Sequence, residues 1–287
     1  MAAGREHAPT KVFVEHDGLT IAALDWGSDG RPLLLMHPNG FCAGMWDPLA
    51  RQLRGEYRPI AIDIRGHGAS DAPRTDAEFA FSAAASDLAP VLDALGVQEV
   101  VALGHSLGGA CVILLDHMHP GIVQRALLCE AIAFPPIPGG TPTDGPSRLV
   151  VAARRRRAEW PDRATVRESY GSRPPLNVLE PEVLDAYVAW GFHDRPDGTI
   201  ELACAPEIEA RFFEAAATGD GARTAFERLP ALRGRATVVR GDRTDLPGLI
   251  FDAQAEAVGA PLVELGGDHF FLQENTARAA ALVRDYL

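Results

Sequence analysis

The stretch Gly104-His105-Ser106-Leu107-Gly108-Gly109 constrains this chain more than any other. It follows the largely apolar run Val97 to Leu103 and precedes Ala110 to His119, a buried-helix pattern closed by Pro120. A strand, then Gly-x-Ser-x-Gly, then a helix is the setting of a nucleophile elbow, a tight turn that holds the Ser hydroxyl off the sheet edge. Gly104 and Gly108 are expected where a Cβ would separate strand from helix. The helix that starts at the Ser also presents unpaired N–H groups and a positive dipole end, both suited to a developing oxyanion.

The rest of the chain supplies a matching frame. Lys11 to His16 and Thr20 to Trp26 read as strands of a hairpin across Asp17-Gly18. Pro32 to Met36, Tyr57 to Ile64 and Ile122 to Cys129 read as buried strands, with helices at Trp46 to Leu53 and Ser82 to Leu95 between them. This alternation predicts βαβ units with right-handed crossovers. From Phe134 to about Leu229 it stops: a Pro- and Gly-rich stretch leads into helical patterns without a convincing strand. Alternation resumes at Ala236 to Arg240, followed by a helix near Ile250 to Val258, a strand Pro261 to Leu265 and a closing helix near Asn275 to Leu287. The expected organisation is an α/β core of residues 1–133 and 230–287, interrupted by a helical cap of residues 134–229 over the strand ends.

A serine hydroxyl needs a base, and the base needs an acid to orient it. In a sheet of this kind both are expected after later strands, acid first and His second. Of nine histidines, His269 stands out, behind Gly266-Gly267 at the end of the last strand. His37 and His67 read as loop braces and His105 as a packed residue, while His117 and His119 point to opposite sides of a helix and hold no shared metal. Three carboxylates compete for the acid's place. Asp245 is favoured over Asp242, which lies nearer the strand end and fits a turn. Glu130, just past Cys129, reads more simply as a loop-bracing carboxylate. For the oxyanion the expected donors are the backbone N–H groups of Leu107 and Asn39, since Pro38 has none.

Taken together, Gly-His-Ser-Leu-Gly-Gly, His-Pro-Asn-Gly-Phe before a Trp, Asp-Ile-Arg-Gly-His-Gly-Ala-Ser, Arg-Gly-Asp-Arg-Thr-Asp-Leu and Gly-Gly-Asp-His-Phe resemble the α/β-hydrolase superfamily over nearly the whole chain. The resemblance implies an eight-stranded, mostly parallel sheet, a helical cap after the sixth strand and the triad Ser106, Asp245, His269. The chain departs from the common pattern twice: Pro38 replaces a Gly, and Thr244 stands where many members carry the acid. The resemblance also implies cleavage of an ester or lactone of a small hydrophobic molecule, without metal or organic cofactor. Carbon–carbon bond hydrolysis of a diketone-like substrate uses the same triad, and a ligand sensor that keeps the pocket is a third reading. Ser106 argues against the dehalogenases and typical epoxide hydrolases of this fold, whose nucleophile is Asp.

Composition narrows the partners. The 39 acidic against 27 basic residues give a formal charge of −12, unsuited to nucleic-acid backbones or anionic membranes. No apolar run has transmembrane length and the first ten residues carry no signal-like core, so a cytoplasmic location is expected. Cys42, Cys111, Cys129 and Cys204 read as buried free thiols. In the cap, one member of Arg154-Arg155-Arg156-Arg157 is a candidate for a substrate carboxylate, although a solvated face with salt bridges is the stronger expectation. Trp160, Trp190, Phe192, Phe212 and Phe213 are expected to build the cap interior and pocket wall.

Overall fold

A computed structural model describes residues 8–136 and 147–287. The first two strands, β1 (Thr10–His16) and β2 (Leu19–Asp25), form the expected antiparallel hairpin. Its turn residues Asp17 and Gly18 have φ of 48° and 74°, the left-handed pair that a two-residue hairpin matching strand twist requires. Next come β3 (Arg31–Met36), α1 (Asp47–Leu53), β4 (Tyr57–Ile62), α2 (Phe81–Ser86), α3 (Leu88–Ala94), β5 (Val100–His105), α4 (Leu107–Met118) and β6 (Val123–Cys129). The single helix expected at Ser82 to Leu95 is therefore two. Pro90 has no N–H to give the Ser86 carbonyl, and the helix is interrupted at Asp87.

Between β6 and the return to the main sheet lie α5 (Arg148–Arg154), β7 (Glu159–Trp160), α6 (Arg163–Gly171), α7 (Pro181–Trp190), β8 (Phe192–Asp194), β9 (Ile200–Leu202), α8 (Pro206–Ala215) and α9 (Ala222–Arg228). The expectation of helices alone is corrected here: β7, β9 and β8 form a small antiparallel sheet. Its strands are too short for periodicity to register, but Asp197-Gly198, with Gly198 at φ 84°, is the turn between β8 and β9. The chain ends with β10 (Ala236–Gly241), α10 (Gly248–Val258), β11 (Val263–Leu265), α11 (Phe271–Glu274) and α12 (Thr276–Tyr286).

The main sheet has eight strands in the order β1-β2-β4-β3-β5-β6-β10-β11, antiparallel at β1 and β2 and parallel from β4 onward. Alternate residues of its central strands feed two cores. Leu34, Met36, Ala102, Leu128 and Val238 meet α2, α3, α4 and α10 on one face, while Leu33, Leu35, Val101, Leu103, Leu127 and Val239 meet α1 and α12 on the other. Burial on both faces is why these strands read as unbroken apolar runs. All four cysteines are buried free thiols, as expected.

Candidate active site

Ser106 joins β5 to α4 with φ 56° and ψ −119°, a conformation that a residue with a side chain rarely adopts and one that concentrates at functional turns. The glycines around it permit the turn. A Cβ on Gly104 would lie 2.6 Å from Gly109 Cα and 2.7 Å from the Gly108 carbonyl, so Gly104 does set the strand-to-helix approach. Gly108 has a different neighbour from the expected one: a Cβ there would sit 2.5 Å from the Met36 carbonyl of β3. Two backbone bonds fix the elbow to the end of β6, Ser106 N–H to the Cys129 carbonyl (2.9 Å) and Ile132 N–H to the Ser106 carbonyl (3.0 Å).

His269 follows β11, and its Nδ1 lies 2.6 Å from Oε2 of Glu130. Glu130, at the end of β6, is fully buried with φ 47°. Its Oε1 accepts the Gly241 N–H (2.8 Å) and its Oε2 also accepts the Thr244 hydroxyl (2.8 Å). A buried carboxylate is costly unless its lone pairs are filled, and here donors from two strand ends fill them. With Nδ1–H donated to Glu130, the neutral ring keeps its lone pair on Nε2, the tautomer that accepts a proton from a hydroxyl.

The carboxylate that the structure places on His269 is thus Glu130 and not the expected Asp245. Asp245 is exposed and makes no hydrogen bond or ion pair among the described residues. Asp242 does serve its turn, accepting the Gly267 N–H at 2.8 Å. Thr244 explains the departure noted in the sequence: where an acid was expected, a hydroxyl donates to an acid that comes from β6 instead. The missed signal was a lone Glu between Cys129 and Ala131 at the end of a strand buried on both faces, a place no carboxylate occupies without partners.

Three further histidines, His105, His37 and His67, are braces. His105 is buried in the elbow; its Nε2 bonds the His269 carbonyl at 2.9 Å while Gln273 Nε2 lies 3.3 Å from its Nδ1. Desolvation, then the neighbouring His269, holds its pKa well below the ordinary value, so it stays neutral. His37 accepts the Ile64 N–H (3.0 Å) and its other ring nitrogen bonds the Pro38 carbonyl (2.8 Å), and burial lowers its pKa to about 3. His67, lowered to about 4 by burial, accepts the Gly40 N–H at 3.0 Å.

Both expected oxyanion donors are backbone groups at strand ends. Leu107 is the first residue of α4, so its N–H has no intrahelical acceptor. Asn39 lies in the turn Pro38–Phe41, closed by Phe41 N–H to the Pro38 carbonyl (3.3 Å), with Gly40 at φ 80° as a type II turn demands. The Asn39 N–H has no partner among the described residues, and its side chain donates to the Glu209 carbonyl (2.9 Å).

Elements inserted after β6 pack on these loops. Trp190 lies against Gly44, where a Cβ would be 2.1 Å from its ring, and Phe212 packs 5.5 Å from the His67 ring. Trp160 and Phe192 are buried within the insert against the partly buried Tyr170, and Phe213 packs on the small cluster of Val150, Ala153 and Ala210. The arginine run divides. Arg154 pairs with Glu207 (2.8 Å) and Glu214 (2.9 Å) at the surface, as expected, and Arg157 stacks on Trp160. Arg156 turns inward but its charge is met by Glu209, which leaves it no free face for a substrate carboxylate.

A family model described as the alpha/beta hydrolase family matches residues 33–283, nearly the whole chain. This chain belongs to the alpha/beta hydrolase family. Among curated relatives of this hydrolase, epoxide hydrolase 4 of Mus musculus is 31% identical over 125 residues, covering 43% of the chain and 34% of the relative. The non-heme chloroperoxidase of Streptomyces lividans is 36% identical over 132 residues, covering 45% and 47%. The matches thus span a third to a half of those relatives' lengths. Among solved structures, the thioesterase domain from the curacin biosynthetic pathway superposes with a TM-score of 0.78 at 21% identity, over 96% of the chain and 99% of that domain, a likeness of fold. No helix among the described residues is long and apolar enough to cross a membrane.

Proposed function

We propose that this hydrolase is a serine hydrolase that cleaves an ester or lactone of a small hydrophobic molecule, with Ser106, His269 and Glu130 as its triad. The observation that carries the reading is the buried Glu130 carboxylate on His269 Nδ1, taken with a serine in a strained elbow. In this reading Ser106 Oγ attacks the carbonyl carbon as its proton passes to His269 Nε2. Glu130 keeps the ring oriented and balances the imidazolium charge. The N–H groups of Leu107 and Asn39 hold the negative oxygen of the tetrahedral intermediate. Collapse breaks the carbon–oxygen bond, and His269 gives its proton to the departing alkoxide. Water then attacks the acyl-enzyme, losing a proton to His269, and Ser106 leaves with that proton. A hydrophobic acyl or alcohol group is supported by the aromatic rings beside His269: Phe270 at 5.3 Å, itself 5.4 Å from Phe41.

Intact mass after exposure to a fluorophosphonate tests the reading. One adduct on the parent, absent from Ser106→Ala and strongly slowed in Glu130→Gln and His269→Ala, is expected, followed by turnover within a panel of aryl esters and lactones. A folded parent that takes no adduct overturns the activated serine. Turnover of a vinylogous diketone but of no ester would overturn the esterase reading.

A further inference from the structure

Resting on the reading above, we infer that Tyr187, on α7 of the insert, is a positioning residue for the oxyanion hole: it holds the turn that presents the Asn39 N–H. Its hydroxyl donates to the Gly40 carbonyl at 2.8 Å and lies fully inside the protein. Other polar groups of that turn are held as well. The Gly40 N–H goes to His67, the Asn39 side chain to the Glu209 carbonyl, and Arg156 adds a 3.4 Å contact to the Gly40 carbonyl while donating to the Tyr187 oxygen at 2.8 Å. His67 belongs to the core, whereas Tyr187, Arg156 and Glu209 belong to the insert, so half of the turn's geometry depends on how the insert docks. The Phe41 ring, 4.6 Å from that of Tyr187, fixes the following residue to the same face. A hydrogen-bond donor for an oxyanion works only when its direction is set before the charge develops, and a misplacement of about 1 Å costs about a hundredfold. Rotating the 40–41 peptide would break the bonds of the Gly40 carbonyl to Tyr187 and Arg156, and rotating the 39–40 peptide would break the Gly40 N–H bond to His67, so together these bonds define one orientation of the turn.

Tyr187→Phe keeps the ring and its packing and removes only the hydroxyl. Two readouts are needed, the second independent of chemistry. The expected result is a fall of about tenfold or more in kcat and in the rate of Ser106 phosphonylation at unchanged KM, because the oxyanion contact forms only in the transition state. Hydrogen exchange across residues 36–46 should accelerate severalfold with the thermal midpoint nearly preserved. Tyr170→Phe, which touches Arg156 (3.3 Å) and not the turn, serves as the packing control and should leave both readouts within about twofold. Unchanged exchange in Tyr187→Phe overturns the inference whatever the chemistry. Faster exchange with an unchanged phosphonylation rate, or a raised KM at constant kcat, overturns the link to the oxyanion. A parent without an adduct at Ser106 overturns the catalytic reading itself, and the exchange result then decides only whether Tyr187 holds the turn.

Discussion

Replacing Glu130 by Gln tests the site most directly, because the side chain keeps its shape and loses its charge. The carboxylate fills three acceptor positions, to Gly241, Thr244 and His269. An amide provides one oxygen. If that oxygen faces Gly241, the amide nitrogen faces His269 and forces the tautomer with Nε2–H, which takes no proton from Ser106. If it faces His269, the amide nitrogen meets the Gly241 N–H, and two donors confront each other in a buried place. The lost charge can be sized as well. With charge centres roughly 4 Å apart and an effective dielectric near 20, the carboxylate stabilises the imidazolium by about 4 kcal/mol, or about a thousandfold in rate. Steady-state kcat on an aryl ester and the rate of fluorophosphonate modification should both fall by about three orders of magnitude, with circular dichroism showing the fold intact. Asp245→Asn should change either rate by about twofold at most, since its side chain is exposed and without a partner among the described residues. A second arm places an acid on the loop after β10: Thr244→Asp in a Glu130→Ala background should recover part of the rate, because the Thr244 hydroxyl lies 2.8 Å from the carboxylate it would replace. Equal losses in Glu130→Gln and Asp245→Asn, or a loss confined to Asp245→Asn, would refute the assignment.

Two further outcomes concern stability. Buried His37, His67 and His105 stay neutral in the fold, with pKa values of about 3, about 4 and well below the ordinary value. The unfolded chain takes up these protons below about 6.5, so the stability they allow is fully present above that pH and is lost as pH falls toward 4 and then 3. Asp63 opposes them in part: burial raises its pKa to about 6, so the fold binds that proton first. The net expectation near pH 5 is a decline of about 3 kcal/mol per pH unit, read as denaturant midpoints; a flat profile from pH 6.5 to 5 would contradict it. Gly104→Ala should cost about 3 kcal/mol or prevent soluble folding, since its Cβ would lie 2.6 Å from Gly109 Cα; an unchanged thermal midpoint would show that the elbow yields.

The core was legible because its signals are local. Apolar runs such as Leu33 to Met36 report burial on both faces, and Gly-x-Ser-x-Gly between a strand and a helix reports a turn that only certain residues permit. His269 was legible from its place behind two glycines. Glu130 was legible only as the least favoured of three carboxylates, because its surroundings depend on a neighbour in space: β10 lies beside β6 in the sheet, and Gly241 and Thr244 reach it across a separation of more than a hundred residues. The insert failed to announce β7, β8 and β9 because two or three residues carry no period. Arg156 illustrates the same limit: four consecutive arginines look alike in sequence, and only packing turns one of them inward toward Glu209.

With Glu130, just after β6, as the proposed acid, the loop after β10 has a different part to supply. Gly241 contributes an N–H and Thr244 a hydroxyl, both uncharged, and the next residue, Asp245, is exposed with no bond to another described residue. Position 245 is thereby a free electrostatic dial on the loop that supports the acid. A neutral or basic residue there would alter the field met by an approaching charged molecule, and so its encounter rate at low ionic strength, while the hydrogen bonds around His269 stay as they are.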